Sequence, residues 1–152
     1  MYPVKSERDI TPALLAVSRD QTFTLGMRSW ARAVTAASQS AYLYHFTRTP
    51  PWPNPAFGAY HAAEIAYVFA NVSRQPWAQP GDIRLSDQMS SYWVNFATRG
   101  DPNHAGLPLW QPYNLADEFH ISFGEGAQAG QHLLREQLDF LELAQRRRQS
   151  PD

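Results

Sequence analysis

The sequence contains no cysteine, no long apolar run and no large excess of either charge. The 152 residues therefore offer neither a disulfide framework nor a thiolate metal site. No apolar stretch approaches the roughly 20 residues that a transmembrane helix needs, and the first nine residues carry no secretory signal pattern. A formal net charge of −1 gives no general attraction to nucleic acid or to an anionic membrane. Neither is expected as a partner, and the features are compatible with a cytosolic protein without fixing the compartment.

What the sequence does contain is apolar and aromatic. Apolar residues make up 43% of the chain and charged residues 18%, which indicates a globular protein. The 5 Trp, 7 Tyr and 8 Phe can form a large core or an interface. No internal repeat or second domain is evident, so residues 1–152 are predicted to form a single unit. Its last residues, 145–152, are expected to be a frayed tail containing the basic run at 146–148.

Apolar periodicity predicts four helices. The first begins with Thr11 as cap and Pro12 as first helical residue, and the second is opened by Asp20 and covers about 22–39. The third is capped by Asp82 or Ser86 and ends near Thr98, before the stop sequence at 100–103. The fourth covers about 131–147. In the second helix one buried stripe is expected, formed by Phe23, Met27, Trp30, Ala31 and Val34.

Two segments are typical of strands. Residues 41–47 are apolar or β-favouring at every position except His45, as in a strand that is covered on both faces. Residues 118–123 predict a short strand at a sheet edge, and residues 124–130 predict a linker of small residues. Together these elements indicate a mixed α/β fold.

The most informative stretch is FGAYHAAEIAYVF, residues 57–69. It follows a proline-rich loop and places His61 just ahead of a short apolar helix, which opens near Glu64 and is anchored by Ile65, Val68 and Phe69. An imidazole in such a place can be held still and remain accessible, as a general base requires. Glu64 either hydrogen-bonds the ring or serves as a helix-start residue.

This stretch resembles the segment that carries the catalytic histidine of type-B carboxylesterases, the α/β-hydrolase family of para-nitrobenzyl esterases and cholinesterases. Two further segments follow in the family's order: SYWVNFATRGDPN at 91–103, and LWQPY at 109–113, in which Gln111 is an extra residue. The likeness runs from about residue 20 to residue 143. It implies the C-terminal portion of an α/β-hydrolase fold, with His61 as catalytic base, Phe57 and Tyr60 as candidates for lining the substrate pocket, and no cofactor.

The other members of a hydrolase triad are not evident. The nucleophile elbow Gly-x-Ser-x-Gly is absent, and its nearest match, at 126–130, has Gln128 in place of serine. No glycine-rich oxyanion loop occurs, and no motif marks Glu7, Asp9 or Asp20 as the triad acid. The serines around His61 lie on no glycine-flanked turn. The five histidines also show no metal-ligand spacing.

The sequence therefore leaves two interpretations open. In the first, the chain is the C-terminal segment of a carboxylesterase, inactive alone and acting on a small carboxylic ester once an N-terminal segment completes it. Self-association or a complementing chain is then expected. In the second, it is a non-catalytic binding or scaffold domain derived from a truncated esterase gene.

Overall fold

The chain begins with a long helical segment that is interrupted by a π-turn. In the computed structural model, which describes residues 1–52, 54 and 57–149, α1 covers Ile10–Arg19 and α2 covers Leu25–Ala36. Asp20–Thr24 forms the π-helical turn between them. The prediction that Asp20 opens a separate helix is wrong, and so is the cap at Thr11, because the helix already begins at Ile10.

α2 buries a different face from the one predicted. Its buried residues are Leu25, Arg28 and Ala31. The other members of the predicted stripe are exposed, namely Phe23, Met27, Trp30 and Val34. An apolar stripe shows which face of a helix is apolar, but it does not show that other residues of the same chain bury that face.

The described residues form one three-stranded sheet, in the order β1-β2-β3. β1 covers Leu43–Phe46 and pairs in parallel with β2, His120–Phe123. β2 pairs on its other side, antiparallel, with β3, Ala127–Gly130. β2 is therefore the central strand and not the edge strand that the sequence predicts, while one edge of β1 has no partner strand within the described ranges.

β3 replaces the predicted linker at 124–130. Its sequence, Ala-Gln-Ala-Gly, has no β-branched or aromatic residue and gives no local strand signal. A tight turn closed by the bond from Gly124 N–H to the Gly126 carbonyl, at 3.1 Å, returns the chain onto β2. The cross-strand ladder, and not local propensity, makes this segment a strand.

α4 covers Pro80–Arg99 and lies under the sheet as the main core helix. Gln79 is its N-cap and Asp82, the predicted cap, is its third helical residue, which accepts a bond from Gln79 N–H at 3.1 Å. Gly100 ends the helix in the left-handed conformation, φ 73°, as the stop sequence predicts. The core packs this helix against the sheet and is formed by Tyr67, Val72, Leu85, Met89, Tyr92, Trp110, Ile121 and Phe123.

A buried ion-pair clamp joins α2 to the start of β2. Arg28 holds Glu118 with two bonds, Nε–Oε1 at 2.8 Å and Nη2–Oε2 at 3.0 Å, and Arg32 adds a bond of 2.8 Å. Burial opposes ionisation of Glu118, but the hydrogen bonds from Arg28, Arg32 and Tyr113 outweigh it and lower its pKa to about 2. The clamp fixes α2, and with it the π-turn, relative to the sheet.

α5 covers Arg135–Gln149 and packs Leu138 and Leu141 against Leu25 of α2. It begins four residues later than predicted and includes the basic run at 146–148. Residues 150–152 of the predicted frayed tail lie outside the described residues.

Candidate active site

His61 lies on a turn just ahead of α3, Ile65–Val68. The Ala63 N–H donates to the Tyr60 carbonyl at 3.1 Å, which closes the turn around the histidine. Ala62 has a φ of 69°, in the left-handed region. The imidazole is exposed. The turn placement and the accessibility are those that the sequence predicts.

α3 is held from a side that the sequence does not predict. Ile65 and Phe69, two of its three predicted anchors, are 51% and 68% exposed. Tyr67 is instead fully buried, and its hydroxyl donates to Asp82 Oδ1 at 2.8 Å. Ser86 Oγ donates to the Tyr67 carbonyl at 2.9 Å. These two bonds attach the helix that follows His61 to α4.

The His61 ring stacks on Phe23. The ring centroids are 4.8 Å apart and the ring planes differ by 20°. Among the described residues the imidazole makes no hydrogen bond, so neither ring nitrogen is used by that part of the chain. The stack brings the π-turn between α1 and α2 next to the turn that carries the histidine.

Glu64 occupies the N-cap position of α3, which agrees with its interpretation as a helix-start residue. Its carboxylate lies near Tyr44 of β1, whose pKa is raised by burial and then by the charge of Glu64. The turn at 60–64 is thereby placed beside the open-edged strand of the sheet.

Phe57 and Tyr60, the predicted pocket residues, lie on the exposed side of the same loop. They are 61% and 36% exposed, and their rings meet edge to face at 6.5 Å. Part of the preceding proline-rich loop, Pro53, Pro55 and Ala56, lies outside the described residues. Their substrate-lining role stays a prediction.

Two of the three carboxylates upstream of His61, those of Asp9 and Asp20, are engaged elsewhere. Asp20 is fully buried and accepts bonds from Tyr2 Oη at 2.9 Å and Arg19 Nε at 2.7 Å. Asp9 accepts the backbone N–H groups of Lys5 and Ser6 at 2.9 and 2.8 Å. Within the described part of the chain, no carboxylate is hydrogen-bonded to His61.

Sequence reasoning missed Phe23 and Asp20 as parts of this neighbourhood. Apolar periodicity predicts that Phe23 belongs to a buried helical stripe, and the sequence predicts that Asp20 starts a helix. No local pattern marks a π-turn or a contact between residues 38 positions apart, so only the tertiary structure identifies them.

Residues 1–52, 54 and 57–149 contain no cluster of three or more His, Asp or Glu side chains suited to holding a metal ion. No helix in those ranges combines the length and the apolar content required to cross a lipid bilayer.

The chain is similar to esterases along most of its length. The model of the carboxylesterase family matches residues 2–141. Carboxylesterase 5A of Canis lupus familiaris is 31% identical over 149 residues, which cover 91% of this chain and 26% of that protein. Fumonisin B1 esterase of Sphingopyxis macrogoltabida is 30% identical over 142 residues, covering 87% of this chain and 26% of that protein.

A solved esterase structure also matches most of this chain and about a quarter of its own length. The carboxylesterase EST55 of Geobacillus stearothermophilus, at pH 6.2, superposes with a TM-score of 0.74 at 25% identity, over 89% of this chain and 28% of that chain. The chain thus spans about a quarter of the length of the proteins that it matches.

Proposed function

The chain belongs to the carboxylesterase family, and we propose that it supplies the catalytic histidine, His61, of a carboxylic ester hydrolase. Its α/β fold is a portion of the α/β-hydrolase fold. One observation carries the proposal. The histidine in the family-like motif is exposed on a tight turn, with one ring face stacked and both nitrogens unused by the described residues. A base that must meet a serine and an acid from another segment needs both nitrogens available.

In the proposed reaction His61 acts as base and then as acid. One ring nitrogen takes the proton of a serine hydroxyl as its oxygen attacks the ester carbonyl, and the other is oriented by an acid. The same proton is then given to the departing alkoxide, which leaves an acyl-serine. Water, activated by the same imidazole, releases the carboxylic acid. The exposed rings of Phe57 and Tyr60 are proposed to line the acyl or alcohol side of the pocket.

The serine, the acid and the oxyanion donors are proposed to come from a complementary segment. No Gly-x-Ser-x-Gly elbow occurs in this sequence. The matched proteins are about four times as long as the aligned region. The order of the three family-like motifs supports the C-terminal part of such an enzyme for this chain.

The surface that receives this segment is proposed to include the α1–α2 apolar face, defined here as the exposed apolar residues of those helices and of the turn between them. Its large apolar side chains are those of Ile10, Leu14, Leu15, Phe23, Met27, Trp30 and Val34. The edge of β1 that lacks a partner strand among the described residues adds free backbone groups. Monomeric proteins seldom leave an apolar face and a sheet edge open together.

The test is complementation. Alone, the chain should hydrolyse nitrophenyl esters no faster than free imidazole, because nucleophile and oxyanion donors are missing. Co-expression with a separate chain that carries the elbow, oxyanion loop and acid of a closely matched esterase should restore hydrolysis. His61→Ala should abolish the restored activity, by a factor on the order of 10⁴ or more.

His104→Ala is the matched control, because His104 is also an exposed loop histidine. It should leave the restored activity unchanged. Restored activity that survives His61→Ala would contradict the assignment. A chain that never complements, and that unfolds cooperatively as a monomer, would favour the scaffold interpretation.

A further inference from the structure

Resting on the proposed role of His61 as base, we propose that Phe23 is its positioning residue, which fixes the plane of the imidazole by stacking. The stack, at 4.8 Å and 20°, is the one aromatic contact of the His61 ring within the described residues. Since the same ring has no hydrogen bond there, the stack is the contact that restricts its rotation. Stacking covers one ring face and leaves the nitrogen-bearing edges free for a serine and an acid.

Phe23 lies on an irregular backbone feature, the π-turn between α1 and α2. The π-turn Asp20–Thr24 interrupts an otherwise regular α-helical segment. π-turns inside α-helices are rare and occur often at functional sites. The turn shifts the register of the helix, so that Phe23 points out of the fold towards His61 while Asp20 points in.

The buried end of the turn is fixed by polar contacts. The Asp20 carboxylate accepts Tyr2 Oη at 2.9 Å, Arg19 Nε at 2.7 Å and Thr24 Oγ1 at 3.4 Å. Since Asp20 is fully buried, these hydrogen bonds fix the start of the π-turn within the fold. Three residues later, the ring of Phe23 is only half-buried and is free to receive the imidazole.

The helix that follows is fixed in turn. Arg28, one turn beyond the π-turn, is bound to Glu118 at 2.8 and 3.0 Å. His61 itself sits on a turn whose helix is bonded to α4 through Tyr67. The two rings are therefore presented to each other by two separately anchored elements, and the aromatic contact is not the chance meeting of two loose side chains.

The stack also has an electrostatic consequence for the reaction. The imidazole becomes an imidazolium after it accepts the serine proton. A cation over the face of an aromatic ring is attracted by the ring quadrupole. Phe23 therefore favours the charged form that exists after proton transfer, in addition to orienting the ring.

The first test needs no activity and uses the full chain. In the NMR spectrum of the wild type, the carbon-bound ring protons of His61 should be shifted upfield by the ring current of Phe23. Phe23→Leu keeps an apolar side chain of similar length and removes the ring current, so those resonances should move downfield to unstacked values. Phe23→Tyr should retain the upfield shift. Phe140→Leu removes an exposed aromatic ring of α5, outside the α1–α2 helices, that makes no aromatic ring contact among the described residues, and it should leave the His61 resonances unchanged.

The second test uses the complemented enzyme. Phe23→Leu should lower kcat on the order of tenfold, within the roughly hundredfold loss that a 1 Å misplacement can cause, while KM stays unchanged. Phe23→Tyr should restore kcat. Because Phe23 is half-exposed, thermal unfolding of both variants should match the wild type.

The outcomes separate this inference from the proposed function. If His61→Ala abolishes activity but Phe23→Leu retains both the wild-type kcat and the wild-type His61 resonances, the positioning role is overturned and the function stands. If His61→Ala retains activity, the proposed function fails and the positioning role fails with it, whatever the ring-proton shifts show.

Discussion

At the scale of single residues, the backbone beside His61 is under strain. Ala62 adopts φ 69°, a conformation that costs an L-residue with a Cβ roughly 1–2 kcal/mol. Gly58, at φ 62° on the other side of the histidine, adopts the same region without that cost. Strained non-glycine residues persist where the surrounding structure enforces them, and they cluster at active sites. The conformation of Ala62 turns the chain from His61 into α3.

The strain at Ala62 can be measured by relieving it. Ala62→Gly should raise the free energy of unfolding by about 0.5–1 kcal/mol, because relief of the left-handed strain exceeds the added entropy of the unfolded chain. Ala66→Gly, in α3 four residues later, should lower it by about 0.5–1 kcal/mol because glycine disfavours the helix. Urea unfolding of both variants measures the two signs. A lower stability for Ala62→Gly would show that the turn is not strained.

At the scale of elements, the sequence predicts those whose own residues decide them. α4 is recognisable from Leu85 and Met89 at helical spacing and from the stop at Gly100, and β1 from a continuous run of β-favouring residues. Distant partners decide the rest. β3 forms because β2 pairs with it. Arg28 can be buried because the carboxylate of Glu118, 90 positions away, accepts its hydrogen bonds. A pattern within a short window contains none of this information.

The same limit applies to the candidate site. The motif around His61 suffices to predict an accessible histidine on a turn before a short helix, and the structure agrees. It cannot predict the stack on Phe23, which depends on a π-turn in another element. Two of the three predicted anchors of α3, Ile65 and Phe69, are wrong, while the third, Val68, packs against the core. The helix is held by Tyr67, whose partner, Asp82, lies in α4.

The clamp between α2 and β2 yields a pH-dependent prediction. The pKa of Glu118 is lowered from 4.5 to about 2 in the fold, so its contribution to stability is complete above about pH 4.5 and is lost as the pH falls towards 2. A shift of this size corresponds to about 3 kcal/mol. Glu118→Gln should therefore lower the free energy of unfolding by about 3 kcal/mol at pH 7, and by much less near pH 2.

Glu125→Gln is the control for the clamp. Glu125 pairs with Arg48 at 2.6 Å, but its side chain is 88% exposed. Its loss should cost less than about 1 kcal/mol at pH 7, as is usual for exposed pairs. Urea unfolding at pH 7 and near pH 2 compares the two variants. Equal losses at pH 7, or a Glu118→Gln loss that does not shrink in acid, would show that the clamp does not stabilise the fold.

At the scale of the whole molecule, apolar side chains lie both in the core and on the outer surface. Trp30 is 71% exposed, Phe69 68% and Leu15 67%, although the core around Tyr92 and Phe123 is fully closed. The apolar composition predicts an interface as well as a core. The edge of β1 that lacks a partner strand among the described residues is expected to belong to that interface. Burying such side chains contributes roughly 25 cal/mol per Å² of apolar surface removed from water. Association that covers these exposed side chains is therefore expected to stabilise the fold.

The last prediction concerns that open side. The isolated chain should bind a hydrophobic dye and self-associate in sedimentation experiments, because the α1–α2 apolar face has no cover among the described residues. Trp30→Lys should reduce dye binding and self-association, and should weaken binding of the complementing esterase segment on the order of tenfold, since large aromatic side chains carry much of the binding energy of an interface. Val94→Lys is the matched control for this interface. Val94 is 61% exposed but lies on α4, outside the α1–α2 apolar face, so the substitution should leave the affinity of the segment unchanged. A monomeric, dye-silent wild type, or equal weakening by the two substitutions, would contradict the assignment of the α1–α2 apolar face as the interface.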